Sequence, residues 1–126
     1  MSEAHILYVE DNPENRLLVR RILEVEGFSI VEAIDGPAGL ERAAEMIPDL
    51  DLILLDINLP DMDGYDLAKR LRQIPGLEKV PILAVTANVM QGDRERTLEA
   101  GCNGYIPKPI DVDRLPEQIR AALARA

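Results

Sequence analysis

The chain has 126 residues and a formal net charge of −9, from 23 acidic and 14 basic residues, which suits one acidic domain and disfavours nucleic acid or anionic lipid as a partner. Its only cysteine, Cys102, excludes an intramolecular disulfide. With no apolar run near the ~20 residues that cross a bilayer and no signal-peptide pattern, we expect a cytoplasmic protein without membrane insertion, in which residues 1–126 form one domain.

Five apolar runs along the chain predict β-strands. The predicted strands are His5–Val9, Phe28–Ala33, Leu50–Leu55, Pro81–Thr86 and Gly104–Pro107. The third and fourth are almost continuously apolar, which is typical of parallel strands covered on both faces. The second contains Ser29 and Glu32, and this mixed pattern favours an edge strand.

Helix-period segments separate these strands. The first helix is predicted to begin with Asn12 as N-cap and Pro13 in the first turn, and to end at Gly27. Its expected apolar stripe consists of Leu17, Leu18, Ile22 and Val25. Further helices are predicted after Gly36-Pro37, from about Tyr65 to Ile74, from about Gln91 to Ala100, and after Asp111. The fourth is polar except for Leu98, so it is the weakest helical pattern. Five βα units with short connections specify a doubly wound α/β fold with a parallel sheet.

Ligands of such folds bind beyond the carboxyl ends of the strands, so we ask which residues follow each strand. The first strand ends in Glu10-Asp11, the third in Asp56, the fourth in Thr86 and the fifth in Lys108-Pro109. Two carboxylates at ~4 Å repel by roughly 4 kcal/mol at an effective dielectric near 20, so either their pKa values rise or a cation neutralises them. Oxygen ligands favour Mg²⁺. A carboxylate between a metal and an ammonium suits a phosphoryl acceptor, which makes Asp56 the candidate, with Lys108 and Thr86 contacting the phosphoryl oxygens.

Each residue alone has an ordinary explanation. Glu10 and Asp11 could be solvated loop acids, Lys108 a surface lysine, and Thr86 a plain strand-end residue. The joint pattern at four strand ends is much harder to explain in that way.

At these residues the sequence resembles the receiver domains of two-component response regulators over essentially its whole length. The matching segments are Ile6–Asn12, Leu54–Gly64, Val85–Ala87 and Tyr105–Pro109. The resemblance implies a flavodoxin-like fold with strand order 2-1-3-4-5. It also implies that Asp56 accepts a phosphoryl group from a histidine kinase or a histidine phosphotransfer protein. Within the family, the chain looks like single-domain regulators of the cell-division type or receivers attached to hybrid kinases.

The resemblance assigns further roles. Mg²⁺ would be held by Asp11, Asp56 and the backbone carbonyl of Asn58, with Glu10 acting through water. Thr86 would couple to Tyr105 as a switch, and the Lys108–Pro109 peptide is expected to be cis. Tyr105 could instead be simply half-buried, with its hydroxyl at the surface, and Pro109 a local turn device.

The chain ends just past the fifth helix, so we expect no output domain, a monomer before phosphorylation, and output by binding a downstream protein. We also hypothesise that Asn58 and Asn88 affect how water reaches the acyl phosphate.

Three alternative functions are compatible with parts of this pattern. A phosphatase of the haloacid dehalogenase type would want an acid where Asn58 stands, and a flavin carrier would want a phosphate loop without Glu10 and Asp11. A degenerate receiver that only binds partners is disfavoured by the intact set of Asp11, Asp56, Thr86 and Lys108.

Overall fold

The computed structural model describes residues 4–87 and 91–125, with the backbone alone described for 91–94. Within these residues, five strands alternate with five helices. The strands are β1 (His5–Val9), β2 (Ser29–Ala33), β3 (Leu50–Asp56), β4 (Ile82–Thr86) and β5 (Gly104–Pro107). The helices are α1 (Pro13–Val25), α2 (Gly36–Met46), α3 (Gly64–Arg72), α4 (Gln91–Glu99) and α5 (Leu115–Arg125). The predicted alternation of strands and helices is confirmed, with bounds that differ by one or two residues except at α5, which begins at Leu115 and not directly after Asp111.

The strands form one parallel sheet in the order β2-β1-β3-β4-β5, as predicted. The more polar β2 lies at an edge, also as predicted. Because the chain moves from β1 outward to β2 and then returns to β3 on the other side of β1, the order reverses between β1 and β3. A crevice at such a reversal is where ligands bind in this class of fold.

Local capping explains where the helices begin. The Asn12 side chain accepts hydrogen bonds from the backbone N–H groups of Glu14 at 2.8 Å and Asn15 at 3.2 Å, so it caps α1 as predicted. Asp63 caps α3 in the same way, with the backbone N–H of Tyr65 at 2.8 Å. Gly27 follows α1 with a φ of 91°, a left-handed conformation that glycine adopts without strain.

Two apolar cores cover the two faces of the sheet. Side chains alternate along β1, so Leu7 and Val9 enter the core beneath α2 and α3, whereas Ile6 and Tyr8 enter the core beneath α1 and α5. The central strands are therefore buried on both faces, as their apolar runs predicted. No helix within the described part of the chain is both long and apolar enough to cross a membrane.

The predicted apolar stripe of α1 was correct only at Ile22, which is partly buried against the core beneath α1 and α5. In α1, Leu17, Leu18 and Val25 are 49%, 40% and 84% exposed, and the residues that face the sheet are Val19 and Leu23. Val19 and Leu23 are four positions apart and so lie on one side of the helix. In α4, Leu98 is 52% exposed, while Thr97 and Ala100 are buried.

A half-buried arginine ties together the amino ends of β4 and β5. The Arg72 guanidinium donates hydrogen bonds to the carbonyls of Gly101 at 2.9 Å, Leu77 at 2.8 Å and Val80 at 2.5 Å. It also donates to Asn103 Oδ1 at 2.7 Å, the same oxygen that accepts the Ile82 N–H at 2.9 Å. One side chain at the end of α3 thus satisfies several loop carbonyls at the sheet edge opposite to the strands' carboxyl ends.

Candidate functional site

Three acidic residues converge at the carboxyl ends of β1 and β3. Glu10 and Asp11 directly follow β1, and Asp56 is the last residue of β3. One carboxylate oxygen from each lies within 4.8 Å of the others. Glu10 and Asp56 are buried, whereas Asp11 is exposed. The predicted meeting of these side chains at one edge of the sheet is therefore present.

Lys108 reaches the same place from the end of β5. Its Nζ lies 3.1 Å from Asp56 Oδ1 and 3.8 Å from Glu10 Oε1. Its backbone N–H donates to the carbonyl of Thr86 at 2.8 Å, which fixes the end of β5 against the end of β4. The Lys108–Pro109 peptide is cis, as predicted; Ile47–Pro48 is a second cis peptide that the sequence analysis did not predict.

The loop after β3 holds the Asp56 carboxylate in place. Its Oδ1 accepts a hydrogen bond from the backbone N–H of Asn58 at 3.0 Å, in addition to the Lys108 contact. The loop turns back at once, because the Gly64 N–H donates to the carbonyl of Ile57 at 3.0 Å. A Cβ at Gly64 would lie 2.4 Å from Ile57 Cα and 2.8 Å from the Asp56 carbonyl oxygen. Only glycine fits this close approach.

Glu10 is surrounded by hydrogen-bond donors from the chain. Its Oε1 accepts from the Tyr8 hydroxyl at 3.1 Å and from Asn15 Nδ2 at 3.2 Å, and its Oε2 accepts from the backbone N–H of Asn12 at 3.3 Å. Burial first, and then the nearby Asp56, raise the pKa of the Glu10 carboxyl to about 7, although Lys108 acts in the opposite direction. Burial and the Glu10 charge also raise the pKa of the Tyr8 hydroxyl.

An arginine on α1 supports the backbone beneath the acids. Arg16 Nη1 donates to the carbonyls of both Glu10 and Asp11 at 2.8 Å, and its Nε lies 3.3 Å from Glu32 Oε1. Sequence reasoning missed Tyr8, Asn15 and Arg16. A tyrosine inside an otherwise apolar strand was the one indication available for Tyr8, whereas Asn15 and Arg16 read as ordinary residues of a polar helix face.

A cavity of about 370 Å³ opens at the loop that follows Asp56. Asn58, the buried Thr86, Tyr65 and Arg96 are among the residues that line it. Arg96 pairs with Asp63 Oδ2 at 3.1 Å, and its guanidinium lies 4.4 Å from the Tyr65 ring centre. Thr86 therefore borders an open space at the loop after β3.

Two further predicted residues, Tyr105 and Pro109, lie in β5 and just after it. Tyr105 is half-buried, packs against the core beneath α2 and α3, and borders a separate cavity between β5 and α5. Pro109 is exposed next to the lysine. Asn88 lies outside the described residues.

The donor set fits a hard divalent cation. Among the described residues, Glu10, Asp11 and Asp56 form the acidic group that could hold a metal ion, and every side-chain ligand in it is a carboxylate oxygen. Mg²⁺ prefers such oxygen ligands and keeps several waters, which suits a group with one exposed member.

A comparison with protein-family models decides the classification, because residues 6–120 match the response regulator receiver domain. The chain belongs to the response regulator receiver family. It is therefore a receiver domain of two-component signalling.

Receiver relatives agree with this over nearly the full length. The polar-differentiation response regulator DivK of Brucella anthropi is 40% identical over 121 residues, covering 96% of this chain and 97% of that protein. The relatives thus include a polar-differentiation response regulator.

Solved receiver structures share the fold. The receiver domain of sensor histidine kinase PA1611 of Pseudomonas aeruginosa, solved with a magnesium ion coordinated in its active site cleft, is 35% identical, with a TM-score of 0.86 and coverage of 98% of this chain and 99% of that one. Vibrio cholerae chemotaxis protein CheY4 is 26% identical, with a TM-score of 0.91 and coverage of 96% and 99%. Both similarities extend across the whole sheet and its helices.

Proposed function

We propose that this receiver is a phosphorylation switch in which Asp56 accepts a phosphoryl group from a phosphohistidine, with Mg²⁺ bound beside it. The observation that carries the proposal is the position of the buried Asp56 carboxylate, 3.1 Å from Lys108 Nζ and grouped with Glu10 and Asp11. A nucleophilic carboxylate among further acids needs cationic partners on both sides, and Lys108 is one of them.

Phosphoryl transfer needs a nucleophile, a charge-stabilising group and a leaving group. An Asp56 carboxylate oxygen attacks phosphorus, a P–O bond forms, and the P–N bond to the donor imidazole breaks. The electron pair of that bond leaves with the imidazole, which takes up a proton. The Lys108 ammonium neutralises negative charge on the phosphoryl oxygens, and the Thr86 hydroxyl donates a hydrogen bond to one of them.

The same residues account for metal binding. Asp11, Asp56 and the backbone carbonyl of Asn58 would hold Mg²⁺, with Glu10 acting through a water molecule. When bound, the ion supplies positive charge that offsets the carboxylates and the incoming phosphoryl group. The exposure of Asp11 at the mouth of the group supports this assignment, because an ion that keeps waters needs an open side.

We also propose that the receiver assists its own chemistry with small phosphodonors and that the phosphorylated state ends by hydrolysis of the acyl phosphate. The exposed Asn58 side chain stands at the edge of the cavity beside Asp56, where it can affect the approach of water. We propose the same effect for Asn88.

We propose that phosphorylation signals to the downstream protein by changing the surface of the receiver. Thr86 moves toward the phosphoryl group, and Tyr105 then rotates inward, which alters the face formed by α4, β5 and α5. Two observations support this switch: Thr86 borders a cavity, and the half-buried Tyr105 is not locked inside the core.

We propose a histidine kinase or a histidine phosphotransfer protein as the donor and a downstream protein as the target. The net charge of −9 disfavours nucleic acid as that target.

A cytoplasmic location is proposed because phosphohistidine is formed from ATP there. We further propose one receiver domain across residues 1–126, monomeric before phosphorylation.

Intact-mass spectrometry after incubation with acetyl phosphate tests the proposal. Wild type should gain one phosphoryl group when Mg²⁺ is present and none in a chelator, and Asp56→Asn should gain none. Asp51→Asn is the matched control, because Asp51 is exposed near the other end of the same strand. If wild type gains nothing and beryllofluoride leaves its thermal stability unchanged, the phosphorylation proposal is wrong and a pure binding module remains.

A further inference from the structure

Tyr8, in the middle of β1, carries a hydroxyl group that its position in the core does not require. Tyr8 is fully buried, and its ring packs in the core beneath α1 and α5. Phenylalanine would fill this space equally well without placing a hydroxyl away from water. The hydroxyl donates to Glu10 Oε1 at 3.1 Å, which directs it to the acidic group.

The donors around Glu10 are distributed unevenly between its two oxygens. Oε1 accepts from Tyr8 and from Asn15 Nδ2 at 3.2 Å, and Lys108 Nζ lies 3.8 Å from the same oxygen. Oε2 accepts one bond from the described residues, from the backbone N–H of Asn12 at 3.3 Å. A carboxylate oxygen has two lone pairs, so Oε1 is saturated while Oε2 keeps capacity for a further donor.

Asn15 alone would fix this orientation less firmly. Its side chain extends from a helix surface and is only partly buried, whereas the Tyr8 ring is held on all sides by the core. A rigid ring with its hydroxyl against Oε1 restricts rotation of the Glu10 carboxylate about its last torsion angle, which is otherwise broad.

We propose that Tyr8 is a positioning residue of the magnesium site, which holds Glu10 so that Oε2 remains available to the ion's water. The inference rests on the proposed function, because the ion belongs to it. Hydrogen-bond partners behind a metal's ligands commonly set how well those ligands bind.

The test measures Mg²⁺ affinity by calorimetric titration with MgCl₂. Tyr8→Phe should weaken Mg²⁺ binding about tenfold, the lower end of the range for such partners. Ile6→Val, an equally conservative change in the same strand and the same core, should leave the affinity unchanged.

A double-mutant cycle separates positioning from a general structural effect. In a Glu10→Gln background, Tyr8→Phe should change the affinity by less than about twofold, because the group it orients is no longer a carboxylate. An equal loss in both backgrounds would show that Tyr8 acts through the core and not through Glu10, and would overturn the proposal.

A second readout applies if Tyr8→Phe folds poorly. Fluorotyrosine is incorporated at the three tyrosines, and the Tyr8 fluorine resonance is assigned by removing Tyr65 and Tyr105 in turn. MgCl₂ should shift this resonance in wild type and not in Glu10→Gln. Mg²⁺ binding to wild type without a shift, or with an unchanged Tyr8→Phe affinity, overturns the Tyr8 proposal alone. Absence of Mg²⁺ binding to wild type overturns the metal assignment itself.

Discussion

Lys108 Nζ and Asp56 Oδ1 lie 3.1 Å apart although their residues are separated by 52 positions in the chain. The contact exists because the carboxyl ends of β3 and β5 meet at one sheet edge, on either side of β4. It joins the proposed nucleophile to the lysine side chain. The chemistry of the site therefore depends on correct packing of strands that are distant in sequence.

Replacing Lys108 should separate phosphorylation from metal binding. Lys108→Met keeps the apolar stem and removes the charge, so the phosphorylation rate should fall by about a hundredfold. Mg²⁺ affinity should instead rise several-fold, because a positive charge no longer repels the ion. Mass spectrometry and calorimetry measure the two effects. Lys79→Met, at an exposed lysine on the opposite edge, is the control. A parallel loss of both properties would contradict this account.

The loop after β3 should not tolerate a side chain at Gly64. In Gly64→Ala the new Cβ would lie 2.4 Å from Ile57 Cα, so the backbone must shift. We expect a loss of about 3 kcal/mol in the free energy of unfolding and slower phosphorylation, because the same loop carries the Asn58 N–H. Urea denaturation measures the free energy of unfolding, and mass spectrometry measures the phosphorylation rate.

Gly27→Ala provides the comparison for Gly64. Gly27 has a positive φ, but a Cβ there would meet nothing within 4 Å. Backbone strain alone should lower the free energy of unfolding by about 1 kcal/mol and leave the phosphorylation rate unchanged. If Gly64→Ala behaved like Gly27→Ala, the close approach would not be a constraint.

Removing the guanidinium of Arg72 should affect stability and not chemistry. Arg72→Ala leaves the carbonyls of Gly101, Leu77 and Val80 without this donor, so the free energy of unfolding should fall by about 3 kcal/mol. Arg70→Ala, at an exposed arginine of the same helix, should cost far less. Chemical denaturation measures the difference. A large drop in phosphorylation at a temperature where Arg72→Ala is folded would show that the two sheet edges are coupled.

The thiol of Cys102 should react slowly with alkylating agents. Burial raises its pKa from 9.0 to about 11, against the opposing effect of the nearby Arg72. At pH 8 the reactive thiolate is then about a hundredfold scarcer than in an exposed cysteine. Because the folded pKa is raised, the thiol's contribution to stability is complete below pH 9 and is lost as the pH rises toward 11.

Iodoacetamide labelling followed by mass spectrometry checks the Cys102 prediction across that pH range. The rate for the folded chain should keep increasing above pH 9, whereas the urea-unfolded chain should level off near its ordinary thiol pKa. Rapid labelling of the folded chain at pH 8 would contradict the burial of this thiol.

Strand positions and the meeting of the acids were predictable because each depends on a pattern within a few residues. Apolar runs located the strands, and the residue after each strand located Glu10, Asp11 and Asp56. The buried face of α1 was not predictable, because Leu17, Leu18, Val19, Ile22 and Leu23 surround much of the helix. Because these apolar residues cover a wide part of the helix surface, tertiary packing decides which of them face the sheet.

Side-chain partners across the chain were also beyond the sequence. Arg72 ends a helix among other basic residues and gives no indication that it reaches loops near residues 80 and 101. The Tyr8 hydroxyl is similarly hidden within an apolar run. Such contacts depend on distances between elements that only the folded chain defines.

The Arg72 hydrogen bonds and the acidic group lie at opposite edges of the same sheet. For protein engineering, this separation means that the two groups of residues can be changed separately. Residues at the carboxyl ends of the strands can be substituted while the loops at the amino ends keep their hydrogen bonds to Arg72. The amino-edge loops, in turn, are poor places to insert a reporter or a linker, because added residues would pull three carbonyls away from one guanidinium.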